Sequence, residues 1–308
     1  MKKLNLALVY GGFSDEKEVS KLSALTVKNN LRKDKYKIYF LDLKKDFYQF
    51  LDLIRKKKVD LVVPVIHGWG GEDGRLQGLL DILNIPYIFS GYFAHAVAMN
   101  KKATKQLLLG VKVNFAKDIV IRKGEKSNPS LGKLKYPIIV KPNNSGSSIG
   151  VILVNNKNEL ARAISWAFEY DKELILEEFI RGREFSLPIY GNKNIKALSV
   201  IEIVPKISKW FDYKAKYTPG GSEEICPAKI SKKLENKIKS IGVEIFKRLN
   251  CKDLSRIDFM VDKNEKIYFL EINTIPGFTP ESLVPKALTT AKIKISDFLD
   301  KLIEERLR

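Results

Sequence analysis

Three stretches within the first seventy residues, LNLALVY (4–10), YKIYFLDL (36–43) and VDLVVPVIHG (59–68), are nearly continuous apolar runs separated by segments of helical spacing. The first such segment runs from Asp15 with Val19, Leu22 and Leu25, and the second is FYQFLDLIRKK (47–57). Strands read this way when helices cover both faces of a parallel sheet, so no side chain along them meets water. The chain therefore opens with an α/β unit, completed by a helix in RLQGLLDILN (75–84) and a short strand in IPYIFSG (85–91).

From Met99 the pattern changes. A helix through KKATKQLLL leads into strands at FAKDIVIRK, YPIIVKP and IGVILVNN. Next comes a helix from Lys157, whose apolar Leu160, Ala163, Ile164, Ala167 and Phe168 follow i, i+3, i+4, i+7, i+8, and then the strand ELILEEFI. A third unit holds strands FSLPIYG and IKALSVIEIV, a helix from Ser231, a hairpin over 256–273 and a last helix from Ser296. The expected organisation is an α/β domain over 1–98, a smaller α+β unit over 99–184 and a second α+β unit over 185–308. Within the last, residues 206–226 lack periodicity but carry Trp210, Phe211, Tyr213 and Tyr217, the make-up of a functional lid.

An apolar content of 44% in 308 residues suffices for cores in units of this size. No apolar run reaches eighteen residues, and MKKLNLALVYGG is too short in its apolar part for a signal peptide, so a cytoplasmic protein without membrane attachment is expected. Cys226 and Cys251 offer neither a disulfide framework nor metal spacing. The net charge of +19 raises the question of nucleic acid, but the lysines are spread along the chain with no aromatic-plus-basic block. A solvated lysine-rich surface, with a bias that suits an anionic substrate such as a nucleotide, accounts for it better.

The hairpin RIDFMVDKNEKIYFLEIN (256–273) is two apolar strands around a polar turn, yet Arg256, Asp258, Glu271 and Asn273 lie inside the strands. Side chains alternate faces, so Arg256 shares a face with Asp258, and Glu271 with Asn273. An even number of unpaired turn residues puts Arg256 opposite Glu271 and gathers all four on one face. Ile257, Phe259, Val261, Tyr268, Leu270 and Ile272 are then expected to form the core face. Two carboxylates, an amide oxygen and an arginine suit magnesium held together with phosphate oxygens, although a solvent-facing cross-strand ion pair has the same pattern.

Three glycine-bearing segments follow strands. YGGFSDEKEVS (10–20) presents amides and a helix start at the carboxyl edge of the first strand, where ligands of such sheets bind, but it is not GxGxxG. HGWGGEDGRLQG (67–78) crowds a histidine, four glycines before its helix, Glu72, Asp73 and Arg75 into one turn, more than a helix capped by Asp73 requires. VKPNNSGSSIG (140–150) has the small residues and the cation, Lys141, of a phosphate-wrapping loop without being a P-loop.

Together with WFDYKAKY, RIDFMVD and FLEINTIPGFTPESLVP, these segments make the chain resemble the D-alanine:D-alanine ligases of the ATP-grasp superfamily over essentially its whole length. The resemblance implies an ATP-grasp fold, an N-terminal parallel-sheet domain followed by two α+β subdomains that clamp ATP. It also implies ATP-dependent joining of two D-alanine molecules for peptidoglycan precursors, through a D-alanyl phosphate. It assigns Asp258, Glu271 and Asn273 to two magnesium ions, with manganese as a substitute and room for a monovalent cation. Lys101, Lys141, Ser148 and Lys216 fall to the ATP phosphates, Glu177, Phe179 and Ile180 to the adenine and Glu184 to the ribose.

For the amino acids, the resemblance places the first ammonium on Glu16, with His67 nearby, and the second carboxylate on Ser282 and the backbone of Leu283. Glu16, Ser147 and Tyr217 are implied to form a link that latches the lid, and Arg256 with Gly277 an oxyanion site. A homodimer is the implied assembly, with no nucleic-acid partner.

Three positions depart from the family pattern: Asp253 stands where glycine or alanine is usual, Asn100 for an aspartate and Ser145 for an acid. The rivals are a ligase that takes D-lactate or D-serine second, and a non-catalytic binding module. The lactate type carries a longer lid with histidine where Tyr217 stands, and the intact metal and phosphate residues oppose the binding module.

Overall fold

The computed structural model describes residues 3–14, 16–125, 129–207, 218 and 220–307. The opening apolar runs become β1 (Leu4–Tyr10), β2 (Tyr36–Asp42) and β3 (Leu61–Val65), all parallel in the order β2–β1–β3. Between and after them lie α1 (Lys17–Asn30), α2 (Phe47–Arg55) and α3 (Arg75–Ile82). The strand expected at 85–91 does not form beyond a single bridge between Val62 and Tyr87. Pro86 has no N–H to give a ladder, and Phe89 sits at φ +75 with its N–H turned 2.6 Å from Asp253 Oδ2 instead.

α4 (Tyr92–Met99) and α5 (Lys101–Leu107) lead to an antiparallel sheet, β4–β7–β5–β6, made of β4 (Asp118–Arg122), β5 (Ile138–Pro142), β6 (Ile152–Val154) and β7 (Glu173–Glu178). α6 (Lys157–Ala167) covers it, capped by Asn156 and burying the expected Leu160, Ala163, Ile164 and Ala167. The last sheet has the order β11–β10–β8–β12–β13, from β8 (Arg183–Tyr190), β10 (Ile201–Pro205), β11 (Ser222–Ile225), β12 (Leu254–Val261) and β13 (Ile267–Asn273), with β9 (Lys196–Ala197) on β8. α7 (Lys232–Arg248), capped by Ser231, lies so close to β8 that a Cβ at Gly242 would meet Leu187 at 2.5 Å.

The chain ends in α8 (Leu283–Thr290) and α9 (Ile295–Leu307), which return to the first sheet. Val284, Leu288, Phe298 and Leu302 share one core with Leu6, Leu8, Val27 and Val63. Arg32 and Lys35 beyond α1 pair with Asp297 and Asp300 of α9 at 2.5 and 2.9 Å. Among the described residues no helix is long and apolar enough to cross a membrane.

The hairpin departs from its expected register. From the turn outward Val261 pairs with Ile267, Met260 with Tyr268 and Phe259 with Phe269, but a β-bulge then moves the pairing by one, so Asp258 faces Glu271 and Arg256 faces Asn273. Arg256 is therefore not opposite Glu271. Because the extra residue reverses the alternation along β13, Ile267, Phe269 and Ile272 join Ile257, Phe259 and Val261 in the core. Tyr268 and Leu270, expected there, instead line a cleft with Met260, Asp258 and Glu271.

Candidate active site

The cleft opens between the four-stranded sheet and the large sheet. Its walls carry Lys101, Lys141, Ser148, Glu177, Phe179, Ile180 and Glu184, every phosphate, adenine and ribose residue expected from the sequence that lies among the described residues. Asp258 and Glu271 line it from the other side. A smaller cavity shares Lys101, Ser145, Gly146 and Glu271 with it and adds Asn273 and Glu72. Lys216 and Tyr217 lie outside the described residues, as do Trp210, Phe211 and Tyr213.

On the floor, Arg256 donates to both oxygens of Asp258, Nε to Oδ1 at 3.0 Å and Nη2 to Oδ2 at 2.8 Å. Ser186 Oγ donates to Oδ1 at 2.6 Å and Asn273 Nδ2 to Oδ2 at 3.2 Å, which leaves Asn273 Oδ1 as an oxygen donor. Burial opposes the guanidinium charge, but Asp258, Glu271 and Glu72 outweigh it and raise the Arg256 pKa above its ordinary value.

Two lysines approach from the other wall. Lys101 opens α5, and its Nζ donates to the Ser145 carbonyl. The group engaged at position 145 is thus backbone, which any residue supplies. Asn100 caps α5 through Ala103 N at 2.8 Å and donates to Asn144 Oδ1 at 2.9 Å, so it performs the capping an aspartate would. Lys141 on β5 pairs with Glu177, whose carboxylate also takes Lys105 at 2.8 Å. Burial alone would raise the Glu177 pKa, but Lys141 and Lys105 bring it down to about 2, so its side chain is committed to lysines. In the connecting loop Ser147 and Ser148 hold φ +52 and +57, left-handed conformations that turn successive amides toward one side.

The loop after β1 brings Glu16 to the start of α1, where its carboxylate accepts from Ser147 Oγ of the loop between β5 and β6. A Cβ at Gly68 would stand 2.9 Å from Glu16 Oε2, and φ there is +71, so glycine is required. The adjacent His67 is buried. Its Nδ1 lies 3.0 Å from the Ile275 carbonyl, which can only accept, so Nδ1 carries the proton. Nε2 then accepts from Ser23 Oγ at 3.3 Å, and that oxygen accepts from Phe278 N at 3.1 Å. Burial keeps the His67 pKa below the ordinary imidazole value despite Glu16 nearby. This bracket fixes the segment bearing Gly277, whose missing side chain lets Ser282 Oγ come within 2.7 Å of a Cβ position. Ser282 precedes α8 without capping it, its hydroxyl lying 2.8 Å from Thr279 Oγ1.

Sequence reasoning missed two residues here. Ser23 gave no signal, being one serine on a helix face. Glu72 stood in the glycine-rich turn but received no role. It accepts from Gly68 N at 3.0 Å and Ile275 N at 2.9 Å, tying the two loops together. Burial, then the nearby Glu16, pushes its pKa up to about 7. A carboxyl raised on folding keeps its proton where the unfolded chain has lost it, so its contribution to stability declines as pH rises from about 4.5 to about 7, by on the order of 3 kcal/mol. Urea melts between pH 5 and 8 are expected to show that slope flattened in Glu72→Gln; equal slopes would refute it.

Comparison with known proteins adds the following. Residues 111–304 match a family model described as D-ala D-ala ligase C-terminus, and residues 49–90 one described as D-ala D-ala ligase N-terminus. A D-alanine-D-alanine ligase of Syntrophobacter fumaroxidans is 41% identical, covering 98% of this chain and 97% of that protein. The solved D-alanine-D-alanine ligase from Bacillus anthracis complexed with ATP superposes with TM-score 0.82 at 32% identity, over 99% of this chain and 97% of the other. The VanG D-Ala:D-Ser ligase from Enterococcus faecalis superposes with TM-score 0.85 at 32% identity, over 98% and 99%.

Proposed function

The chain belongs to the D-alanine-D-alanine ligase family, and from that premise we infer that it joins two D-alanine molecules to D-alanyl-D-alanine, using ATP and releasing ADP and phosphate. The observation that carries the reading is one cleft with Lys101 and Lys141 on one wall and Asp258 and Glu271 on the other, with Arg256 and Asn273 bonded to Asp258. A carboxylate is a poor electrophile and is anionic, as is the phosphate it must meet. The cations of such a cleft screen that repulsion while an oxygen of the first D-alanine displaces ADP from the γ-phosphorus. The amine of the second, having lost a proton, then attacks the acyl carbon, and phosphate leaves as the amide forms.

In this reading Lys101 and Lys141, with the amides around Ser148, hold the phosphates, while Phe179, Ile180 and Glu184 border the nucleoside end. Glu16, held by Ser147, takes the first ammonium. Gly277 N–H and Arg256 suit the oxyanion, and Ser282 with the uncapped start of α8 at Leu283 suits the second carboxylate. Lys216 and Tyr217 complete the proposal as lid residues.

Magnesium fits the donor chemistry. Among the described residues no group of three or more His, Cys, Asp or Glu is placed to hold a metal. Two carboxylates and an amide oxygen would therefore bind it jointly with phosphate oxygens, as hard cations prefer. Asp258, Glu271 and Asn273 would hold it, and when bound it neutralises charge on the transferring phosphoryl group. Asp258 accepts four hydrogen bonds, two of them from Arg256, so it would hold a cation in place of part of that set while Arg256 would turn to substrate oxygens. A homodimer and a cytoplasmic setting, where ATP is at hand, belong to the same proposal.

The test is phosphate release with ATP and magnesium, followed by product mass. Release is expected with D-alanine and not with L-alanine; equal rates with both, or none with either, would refute the assignment. Because a D-Ala:D-Ser ligase is structurally as similar, equal D-alanine, D-serine and D-lactate should be offered together near neutral pH. The dipeptide of D-alanine is expected to dominate, and a leading D-serine or D-lactate product would leave only the ligase class standing.

A further inference from the structure

β4 and β7 place Asp118 directly opposite Glu177, and like charges facing each other across a strand pair repel unless a cation lies between them. Lys105 of α5 is that cation, its Nζ 2.8 Å from Asp118 Oδ2 and 2.8 Å from Glu177 Oε2. The remaining oxygens carry one further lysine each, Lys102 on Asp118 Oδ1 and Lys141 on Glu177 Oε1. The result is a row of alternating charge, Lys102, Asp118, Lys105, Glu177, Lys141, with three cations and two anions. The side chains of its last four members are less than one-tenth exposed, so water screens the row weakly. Lys141, the end of the row, lines the cleft, whereas Lys105 stands behind its wall.

We propose that Lys105 is a positioning residue for nucleotide binding, taking one oxygen of Glu177 so that Lys141 keeps positive potential toward the phosphates. The proposal rests on the reading of the cleft as the ATP site. With Lys105 in place the row carries one net positive charge, and Glu177 divides its attraction between two lysines. Without it the row is neutral, and the whole Glu177 carboxylate draws on Lys141 alone. An ammonium locked onto a buried carboxylate offers little to a phosphate.

Removing a cation and removing an anion from this row must act in opposite directions, which a role in merely holding α5 to the sheet does not predict. Calorimetric titration with ADP and magnesium reads both. Lys105→Met is expected to weaken ADP binding about tenfold or more, with the KM for D-alanine within about twofold of the parent. Asp118→Asn, which raises the net charge of the row, is expected to bind ADP more tightly than the parent. The double variant restores the net charge of the row but leaves the whole Glu177 carboxylate on Lys141, so it is expected to bind ADP more tightly than Lys105→Met and more weakly than the parent. Unchanged ADP affinity in Lys105→Met, or weaker binding in Asp118→Asn, would overturn the proposal, and the second variant decides the matter if the first does not fold. Failure of the parent to bind ADP would refute the reading of the cleft itself.

Discussion

Glu271→Gln is expected to lower phosphate release by about two orders of magnitude or more, the scale on which single electrostatic contributors to a transition state act, while the protein still folds. Glu271 faces Asp258 across the bulged end of the hairpin, two carboxylates on neighbouring strands. Arg256 is bound to Asp258 by both its Nε and its Nη2. In the folded protein Glu271 repels Asp258 and attracts Arg256, so these two effects of its charge on stability oppose each other. In catalysis the same charge is needed to hold magnesium against the phosphates, and a neutral amide of equal shape supplies one oxygen without it. The rate should therefore fall far more than the folded fraction, which separates loss of function from loss of fold. Near-normal turnover, or a rate that falls only in step with the folded fraction, would show that the polar face has another purpose.

Asp253→Ala is expected to destabilise the protein by about 3 kcal/mol, read from urea or thermal unfolding, because it removes a fully buried carboxylate with three donors. Those donors are Phe89 N at 2.6 Å, Arg306 Nη2 at 2.6 Å and Asn192 Nδ2 at 2.8 Å. They come from the segment between α3 and α4, from α9 and from the turn after β8, so one side chain joins segments far apart in the chain. The residue also sits at φ +62 just before β12, the strand that bears Arg256 and Asp258. Asp253→Gly loses the same partners without a Cβ in the left-handed region, and it should be less damaging than alanine by roughly 1 kcal/mol. An alanine variant within about 0.5 kcal/mol of the parent would mean that water replaces the carboxylate.

The sequence alone determined the features whose physics is local. Continuous apolar runs marked β1 and β3, whose central residues are buried on both faces, and β2 at the sheet edge, where only Tyr36 and Leu41 are buried and Lys37 is exposed. The period of Leu160, Ala163, Ile164 and Ala167 marked α6, and Ser231 marked the start of α7, since both helix faces and caps are written within a few residues. The candidate site was legible as residue types in the four polar groups of the hairpin and in Lys141 of the small-residue loop, because their placement against the apolar pattern is itself a local anomaly, whereas Lys101 came only through the family resemblance.

Only the tertiary structure decided which groups meet. The bulge at Asp258 set Arg256 against Asn273 and turned Tyr268 and Leu270 from the core to the cleft; strand register depends on a one-residue offset that an alternating pattern does not encode. Ser23 and Glu72 gained their roles from a loop more than two hundred residues away. Asp253, a departure in the sequence, became a junction once α9 folded back onto the first sheet. Lys105 became the centre of a charge row only when β4 and β7 lay side by side. Burial brings distant charges together and makes their pairing matter, and burial of that kind is a property of the assembled chain.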